Sequence, residues 1–336
     1  MKVRGNEKDG VRRRAFDAVT RIVLRLGRPD FLDHLRSALA EKGVLDAVAH
    51  RDSVVLFDWL LGIAQFQGIS DANALAFTKK HGPVGWADIE RTLARNPDCH
   101  RLRSYWHLDG CGYRKTAQTC TELQLLPSCP LPRHPLRNGR LSQGAYSLFL
   151  FIRDVCDGDL VSWLDERLEA ADNPGHPERA ALMRRALLEP MGHIFGVSNK
   201  LLSMALADLL LGGDPARERW VVTGASMIAI DTLVHNFLHR TGILRRFEAE
   251  HPYGPGCYEP GGCADLIEEL AQRTDARDFN PTFPVVFPRF VQYAIWHFCA
   301  AGGLDICNGN KISDQHRCQS MVCPARQDCD RVSLKT

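Results

Sequence analysis

A turn followed by a long apolar helix, near the middle of the chain, constrains the fold more than any other segment. Gly196, Val197 and Ser198 form a sequence typical of a turn. The apolar residues that follow recur at helical spacing: Leu201, Leu202, Met204, Ala205, Leu206, Leu209 and Leu210. A second apolar stripe follows Asp231, which stands where a helix N-cap would. Lys200 therefore starts one helix and Asp231 the next.

Helical periodicity extends through most of the chain. It predicts two helices within residues 11–50 and further helices at 53–67, 86–95, 113–123, 144–156, 159–171, 177–189, 264–273 and 287–300. A Pro-rich basic stretch at 126–140 and a Gly/Pro-rich loop at 251–263 interrupt this pattern. We therefore predict an all-α fold.

Length and composition indicate an ordinary globular protein. The 336 residues suffice for one large domain or two modest ones, and the 45% hydrophobic and 24% charged content is typical of this class. No apolar run is long enough to cross a bilayer, and the N-terminus lacks a signal-peptide core. We expect a cytoplasmic protein that does not contact membranes.

The turn before Lys200 bares backbone N–H groups at the positive end of a helix dipole. Such donors suit a phosphate of a nucleic-acid backbone. The net charge of +2 does not by itself indicate a nucleic-acid partner, although basic residues cluster locally, for example at 12–14 and 133–140. The charge pattern therefore supports DNA binding without establishing it.

Four of the twelve cysteines lie close together near the C-terminus, at positions Cys307, Cys318, Cys323 and Cys329. In a chain without an export signal, clustered cysteines indicate metal binding more than disulfides. Four thiolates are the ligand set of an iron–sulfur cluster and also of tetrahedral zinc. The residues alone leave both open.

The order of these features resembles the helix-hairpin-helix DNA glycosylases of the endonuclease III and MutY type. The resemblance rests on the run from Phe195 to Lys200, on Ile230-Asp231-Thr232, on the turn at residues 110–113 and on the terminal cysteines. The family's hairpin has the sequence L-P-G-V-G-x-K, its aspartate lies in a V-D-T motif, and its cysteines follow C-x6-C-x2-C-x5-C. This chain departs from the family where a serine replaces the second hairpin glycine and where the first two cysteine spacers are longer.

The resemblance covers residues 53–329 and implies a two-lobed helix-hairpin-helix glycosylase fold with a C-terminal four-cysteine cluster loop. Residues 1–52 would pack with the cluster lobe. Residues 53–242 would form a helical barrel domain with the hairpin at 188–211 and an insertion at 121–190. Residues 243–336 would carry the last helices and the cluster loop.

The resemblance also implies a function, that of a DNA repair glycosylase that flips a damaged or modified base out of duplex DNA and cleaves its N-glycosidic bond. Lys200 falls on the lysine that lyase-competent members use as nucleophile, through a Schiff base that permits β-elimination. Asp231 falls on the shared catalytic aspartate. Since the spacing from Lys200 to Asp231 is longer than usual, a monofunctional enzyme with Asp231-activated water stays open, as does a non-catalytic metal-cluster protein that binds DNA.

The same resemblance assigns residues that contact DNA. Gln65 would fill the gap left by the extruded nucleotide, with Gln67 as the alternative. The turn at 110–114 and the hairpin turn would approach the DNA backbone, and glycines in such turns permit a positive φ and close approach. The residues so assigned are Gly110, Gly112, Tyr113, Arg114, Gly196, Val197 and Ser198.

The implied cofactor is a [4Fe–4S] cluster on Cys307, Cys318, Cys323 and Cys329, with zinc as the competing metal. Its role would be structural. The implied partner is double-stranded DNA that contains a damaged or modified base, and the protein would act as a monomer.

A second group of possible metal ligands has irregular spacing: Cys99, His100, His107, Cys111, Cys120 and Cys129. The turn at 110–113 already accounts for Cys111. The spacing therefore disfavours a second metal here and leaves open whether Cys99, Cys111, Cys120 and Cys129 bind one; it disfavours a metal at Cys257 and Cys263 still more.

Overall fold

A computed structural model of the protein describes residues 16–66, 69, 71–95, 97–136 and 139–334. Over these residues the protein is helical and contains no β-strand, only one isolated antiparallel bridge between Arg114 and Thr119. The predicted all-α class is confirmed. Within the same residues, no helix has the length and apolar character needed to cross a membrane.

The α-helices form for the local reasons that the sequence indicates, and several begin at an acidic or hydroxyl N-cap. Over the described residues they are, in chain order: α1 (16–26), α2 (Phe31–Ala40), α3 (Val44–His50), α4 (Ser53–Ala64), α5 (Asp71–His81), α6 (Trp86–Ala94), α7 (Tyr105–Leu108), α8 (Gly139–Asp154), α9 (Leu160–Ala171), α10 (Arg179–Met191), α11 (Asn199–Gly212), α12 (Glu218–Ser226), α13 (Thr232–Arg240), α14 (Ile243–Arg246), α15 (Cys263–Ala271) and α16 (Pro288–Cys299).

The chain divides into two compact units. Over the described residues, unit 1 combines 16–32 with 224–334, and unit 2 lies within 33–223. The domain boundaries that the resemblance implies, at residues 52 and 242, stay a prediction, as does the helix-hairpin-helix glycosylase fold itself.

Unit 2 is built around the apolar helix α4. Asp52 caps this helix, because its Oδ1 accepts hydrogen bonds from the backbone N–H groups of Val54 and Val55 at 3.0 and 3.2 Å. α4 packs against α3, α6, α8, α9 and α11. The Phe57 and Phe149 rings lie on Trp86 of α6, with centroid separations of 5.4 and 4.2 Å.

Unit 1 is built around α16, which packs against α13 and α15. Pro288 begins this helix, a position that needs no backbone N–H donor. Phe290 and Phe298 are fully buried, and Phe298 meets Phe237 of α13 edge to face at 5.8 Å. The aromatic contacts fix α13, which carries residues of the site described next.

The helix predicted at 113–123 is wrong. Arg114 and Thr119 pair through two backbone hydrogen bonds of 2.8 and 3.2 Å and close a tight loop. Gln118 within this loop has a φ of 45°, a left-handed conformation that a continuous α-helix excludes. Short 3₁₀ turns follow this loop, at Leu123–Ser128 and Leu131–Arg133.

Candidate metal centre

Two histidines and two cysteines of unit 1 converge on one point: His235, His251, Cys257 and Cys263. Their ligand atoms all lie within 4.8 Å of one another, and over the described residues no other set of three or more His, Cys, Asp or Glu side chains is as compact. His251 is half-buried and the other three side chains are buried. This His₂Cys₂ cluster could bind a metal.

Three kinds of local structure supply the four ligands. His235 lies on α13, one turn after the N-cap Asp231, and Cys263 is the first residue of α15. Cys257 lies in a 3₁₀ turn, Pro255–Tyr258, and His251 lies in the loop before it. The two helices therefore fix one ligand each, and the loop between them brings the other two.

Two glycines allow this loop to close. Gly254 has a φ of 149°, which residues other than glycine rarely adopt. A Cβ atom on Gly262 would lie only 2.3 Å from the carbonyl oxygen of Gly256. The chain on either side of Cys257 and Cys263 can approach this closely only because no side chain stands there.

Three of the distances between ligand atoms match a tetrahedral metal site. His235 Nδ1 lies 3.4 Å from Cys263 Sγ and 3.5 Å from Cys257 Sγ, and His251 Nε2 lies 3.5 Å from Cys263 Sγ. Bond lengths of about 2.3 Å to sulfur and about 2.0 Å to nitrogen place neighbouring ligands of a tetrahedral zinc about 3.5 Å apart. Three of the six pairs of ligand atoms therefore have the spacing of such a site, and all six lie within 4.8 Å.

A hydrogen bond outside the cluster orients one of the histidines. His251 Nδ1 lies 2.6 Å from the carbonyl oxygen of Ala249. Since a carbonyl only accepts, Nδ1 carries the proton and donates it, which leaves the lone pair of Nε2 directed at Cys263. Metal-binding histidines are commonly oriented by such a bond.

The two cysteines of the cluster differ in acidity. Hydrogen bonds with Cys263 and with His235 lower the pKa of the Cys257 thiol well below its usual range, against the opposing effect of burial. The same contact and its own burial raise the pKa of Cys263 far above the usual range. The buried pair thus already stabilises one thiolate, the form that binds metals.

The expectation that Cys257 and Cys263 hold no metal is therefore corrected: they belong to a cluster that could bind one. The sequence did contain a signal, because three histidines and two cysteines occur within residues 235–263 around a Gly/Pro-rich loop. His235 was missed because it lies within the apolar stripe of α13, where a histidine suggests core packing.

The four C-terminal cysteines also come together. Cys307, Cys318, Cys323 and Cys329 line one cavity, together with the basic side chains of Arg240, Arg326 and Arg331. The Cys329 sulfur accepts the backbone N–H of Arg331 at 3.3 Å. Burial raises the pKa of Cys329 to about 12. The bound [4Fe–4S] cluster itself stays a prediction.

The predicted hairpin turn is present, and the local prediction for it is right. Residues 192–198 join α10 to α11, Gly196 has a φ of 72°, and the Ser198 hydroxyl caps α11 through the N–H of Leu201 at 3.4 Å. Phe195, Gly196 and Val197 line an apolar cavity of unit 2 with residues of α4, α8 and α11. Ser198 is exposed and Lys200 is half-exposed.

Asp231 is the N-cap of α13, as predicted. Its Oδ1 accepts the backbone N–H of Val234 at 2.9 Å, and its side chain is half-exposed. Asp231 belongs to unit 1, whereas Lys200 belongs to unit 2. The catalytic roles assigned to both residues stay predictions.

Gln65 ends α4, and its side chain bonds within the protein. Its Oε1 accepts the Thr78 hydroxyl at 3.0 Å. A role in filling the DNA duplex would require that this bond break. Gln67, the alternative, lies outside the described residues.

The turn at 110–114 is shaped by contacts inside the protein. A Cβ on Gly110 would lie 2.0 Å from the Arg101 guanidinium, and one on Gly112 would lie 2.2 Å from the Thr121 hydroxyl. Neither glycine has the positive φ that was expected. The close approach of neighbouring side chains explains why both positions are glycine. Tyr113 is only 5% exposed, a core position rather than one that faces a phosphate, whereas Arg114 is exposed.

Comparison with known proteins adds no relative. The chain matches no protein-family model, no curated protein and no solved structure, so its own residues alone bear on what it does.

Proposed function

We propose that the chain is a DNA glycosylase in which Asp231 is the catalytic carboxylate and a zinc ion on the His₂Cys₂ cluster holds Asp231 in place. The observation that carries the proposal is the shared helix: Asp231 caps α13, and His235 lies on that helix one turn later. The residue order around Asp231 supplies the resemblance to glycosylases. The contacts that join Asp231 to the cluster through α13 give the metal a physical role, which is to hold this helix in position.

The position of Asp231 suits it to act on a sugar. Only Oδ1 is used to cap the helix, and the carboxylate is half-exposed. A carboxylate can stabilise positive charge that develops on the sugar as the glycosidic bond breaks, or remove a proton from attacking water. Either use is compatible with a damaged or modified base as the leaving group.

The metal would brace Asp231 from two sides. His235 anchors the helix that starts at Asp231. Tyr258 follows the ligand Cys257, and its hydroxyl accepts the N–H of Ile230, the residue before Asp231, at 2.9 Å. Loss of the metal would release both supports, although no ligand contacts the carboxylate.

Zinc is the metal that the ligand set favours. Two thiolates and two imidazoles form a ligand set of the structural kind, closed by four protein ligands. Such a site leaves no position for substrate. We therefore assign the zinc a positioning role and leave the chemistry to the carboxylate.

The hairpin of unit 2 supports DNA binding. Ser198 and Asn199 are exposed at the start of α11, a 14-residue helix whose first backbone N–H groups point toward its N-terminal end. A phosphate of the DNA backbone fits this position. Lys200, next in sequence, would supply the lyase step through a Schiff base, as the resemblance implies.

We also propose that the C-terminal cysteines hold a [4Fe–4S] cluster. Four thiolates and a cluster together carry net negative charge, and Arg240, Arg326 and Arg331 around the same cavity would offset it. Arg240 is 2% exposed and pairs with Asp314. Visible absorbance and four irons per chain in protein purified without oxygen are the expected result, whereas colourless protein with zinc in this site would overturn it.

Two assays on the full chain test the DNA chemistry. The first measures base release from duplexes that each carry one damaged or modified base. The second traps a covalent adduct with borohydride on duplex DNA that carries an abasic site. We expect an adduct that Lys200→Ala abolishes and that Lys42→Ala, a change at an exposed lysine outside the hairpin, retains.

Base release without an adduct would remove the lyase step and leave a monofunctional glycosylase. DNA binding with neither base release nor adduct would overturn the proposed enzyme.

A further inference from the structure

The segment between α6 and α8 has little regular structure to hold it. Over residues 97–136 it contains only the four-residue helix α7, three short 3₁₀ turns and the single bridge between Arg114 and Thr119. Besides Cys129, few of its apolar side chains are buried, namely Leu102, Leu108, Tyr113, Pro130, Leu131 and Leu136. Small domains with so little core usually depend on disulfides or a bound metal, and a metal would stabilise this segment in the same way.

Four cysteines of this segment surround one small cavity: Cys99, Cys111, Cys120 and Cys129. All four are free thiols, so no disulfide accounts for their meeting. Cys129 is buried and the other three are half-buried. The cavity lies wholly within unit 2 and is separate from both metal sites considered above.

The backbone brings Cys111 and Cys120 close together. Gly112 follows Cys111, and Thr121 follows Cys120; a Cβ on Gly112 would lie 2.2 Å from the Thr121 hydroxyl. The bridge between Arg114 and Thr119 closes the loop that joins the two. The absence of a side chain at residue 112 is thus what allows the arms that carry Cys111 and Cys120 to meet.

Backbone amides point at the sulfur atoms in a repeated pattern. The N–H of Glu122 donates to Cys120 Sγ at 3.5 Å, and Cys99 and Cys129 likewise receive the N–H of the residue two positions later. Hydrogen bonds from backbone amides stabilise the negative charge of a thiolate. The same pattern recurs in the C-terminal cysteine group, at Cys323 and Cys329.

The two histidines nearby are engaged elsewhere. His107 Nδ1 lies 2.6 Å from the Ser104 hydroxyl, and His100 lies 3.6 Å from the Glu122 carboxylate. Neither histidine lines the cavity. The cavity's possible metal ligands are therefore the four cysteines and Glu122, whose carboxylate already accepts a hydrogen bond from Arg101 at 3.2 Å.

We propose that Cys99, Cys111, Cys120 and Cys129 bind a metal through four thiolates, and that this metal holds residues 97–136 in their folded arrangement. Soft thiolate ligands select zinc or an iron–sulfur cluster, and each thiol gives up its proton to solvent on binding. The centre is structural, since protein ligands fill all four positions. It does not depend on the proposed reaction with DNA.

Metal analysis of the full chain, purified without oxygen, tests the proposal. The variant is Cys111→Ser with Cys120→Ser, and the matched control is Cys156→Ala, a buried cysteine that does not line the cavity. We expect the double variant to lose one zinc per chain, or else four irons with their visible absorbance, while the control keeps the wild-type content. Equal metal content in the wild type and the double variant would overturn the proposal.

A measurement on the wild type covers the case in which the double variant does not fold. Alkylation of the native protein, followed by mass spectrometry, compares the reactivity of Cys99, Cys111 and Cys120 before and after metal removal by a chelator. Bound thiolates should react at least about tenfold more slowly than released ones. Immediate alkylation of the native protein would overturn the proposal, and so would protection that only a disulfide reductant removes.

Discussion

The Tyr258 hydroxyl accepts a hydrogen bond of 2.9 Å from the backbone N–H of Ile230. Tyr258 directly follows the cluster residue Cys257, and Ile230 directly precedes Asp231. Ile230 is fully buried, so its N–H has no access to water as an alternative partner. This bond links the candidate metal centre to the backbone beside the proposed catalytic carboxylate.

Removal of this bond should weaken both stability and catalysis. Tyr258→Phe leaves the Ile230 N–H buried without an acceptor, at a cost of about 1–3 kcal/mol in the free energy of unfolding. We also expect slower base release with unchanged metal content. Urea unfolding and the base-release assay measure the two effects.

Tyr253→Phe is the control, since Tyr253 is in the same loop and 45% exposed. Equal loss in both variants would show that the Ile230 bond has no special role.

Loss of one cluster histidine should release the metal. His251→Ala removes one of four ligands, and we expect loss of one zinc per chain and destabilisation of unit 1 by more than about 4 kcal/mol. Metal analysis and denaturant unfolding check this. The control His50→Ala changes an exposed histidine of α3; a full zinc content in His251→Ala would show that the cluster is not a zinc site.

A single methyl group should also disturb the cluster. Gly262→Ala places a Cβ 2.3 Å from the Gly256 carbonyl oxygen, so the loop must move and Cys263 with it. We expect weaker zinc retention in a competition with a chelator. Gly302→Ala, where the Cβ meets nothing within 4 Å, should behave as wild type. Identical zinc retention in the two variants would contradict the packing argument.

His134 should make unit 2 sensitive to mild acid. Burial lowers the pKa of this imidazole below 6.5, and its Nε2 lies 2.9 Å from the Tyr146 hydroxyl. The unfolded chain therefore binds a proton below about pH 6.5 more readily than the folded chain does. The free energy of unfolding is accordingly highest above that pH and decreases as the pH falls. The free energy of unfolding between pH 7.5 and 5.5 should fall more in wild type than in His134→Asn, and an equal fall would exclude His134 as the cause.

The helices and their caps were predictable because they depend on neighbouring residues. The apolar spacing after Ser198 and after Asp231 places both helix starts correctly, and both side chains cap as their residue types suggest. The interactions that determine these features join residues within about one helical turn of each other.

The metal cluster was not predictable in the same way. His235 and Cys263 meet through a loop that Gly254 and Gly262 shape, and the spacing of the ligands does not reveal this closure. The wrong helix at 113–123 has a similar origin. Its residues form a loop because Gly112 packs against Thr121, a contact that helical periodicity does not take into account.

The most direct test of the central claim is base release by Asp231→Asn. Asparagine retains the ability to cap α13, so the substitution removes the negative charge and keeps the fold. Asp52→Asn, the same change at the N-cap of α4, is the matched control. The account predicts a loss of at least about 100-fold in the rate of base release for Asp231→Asn and no change for the control. Equal rates in Asp231→Asn and wild type would contradict the assignment of Asp231 as the catalytic carboxylate.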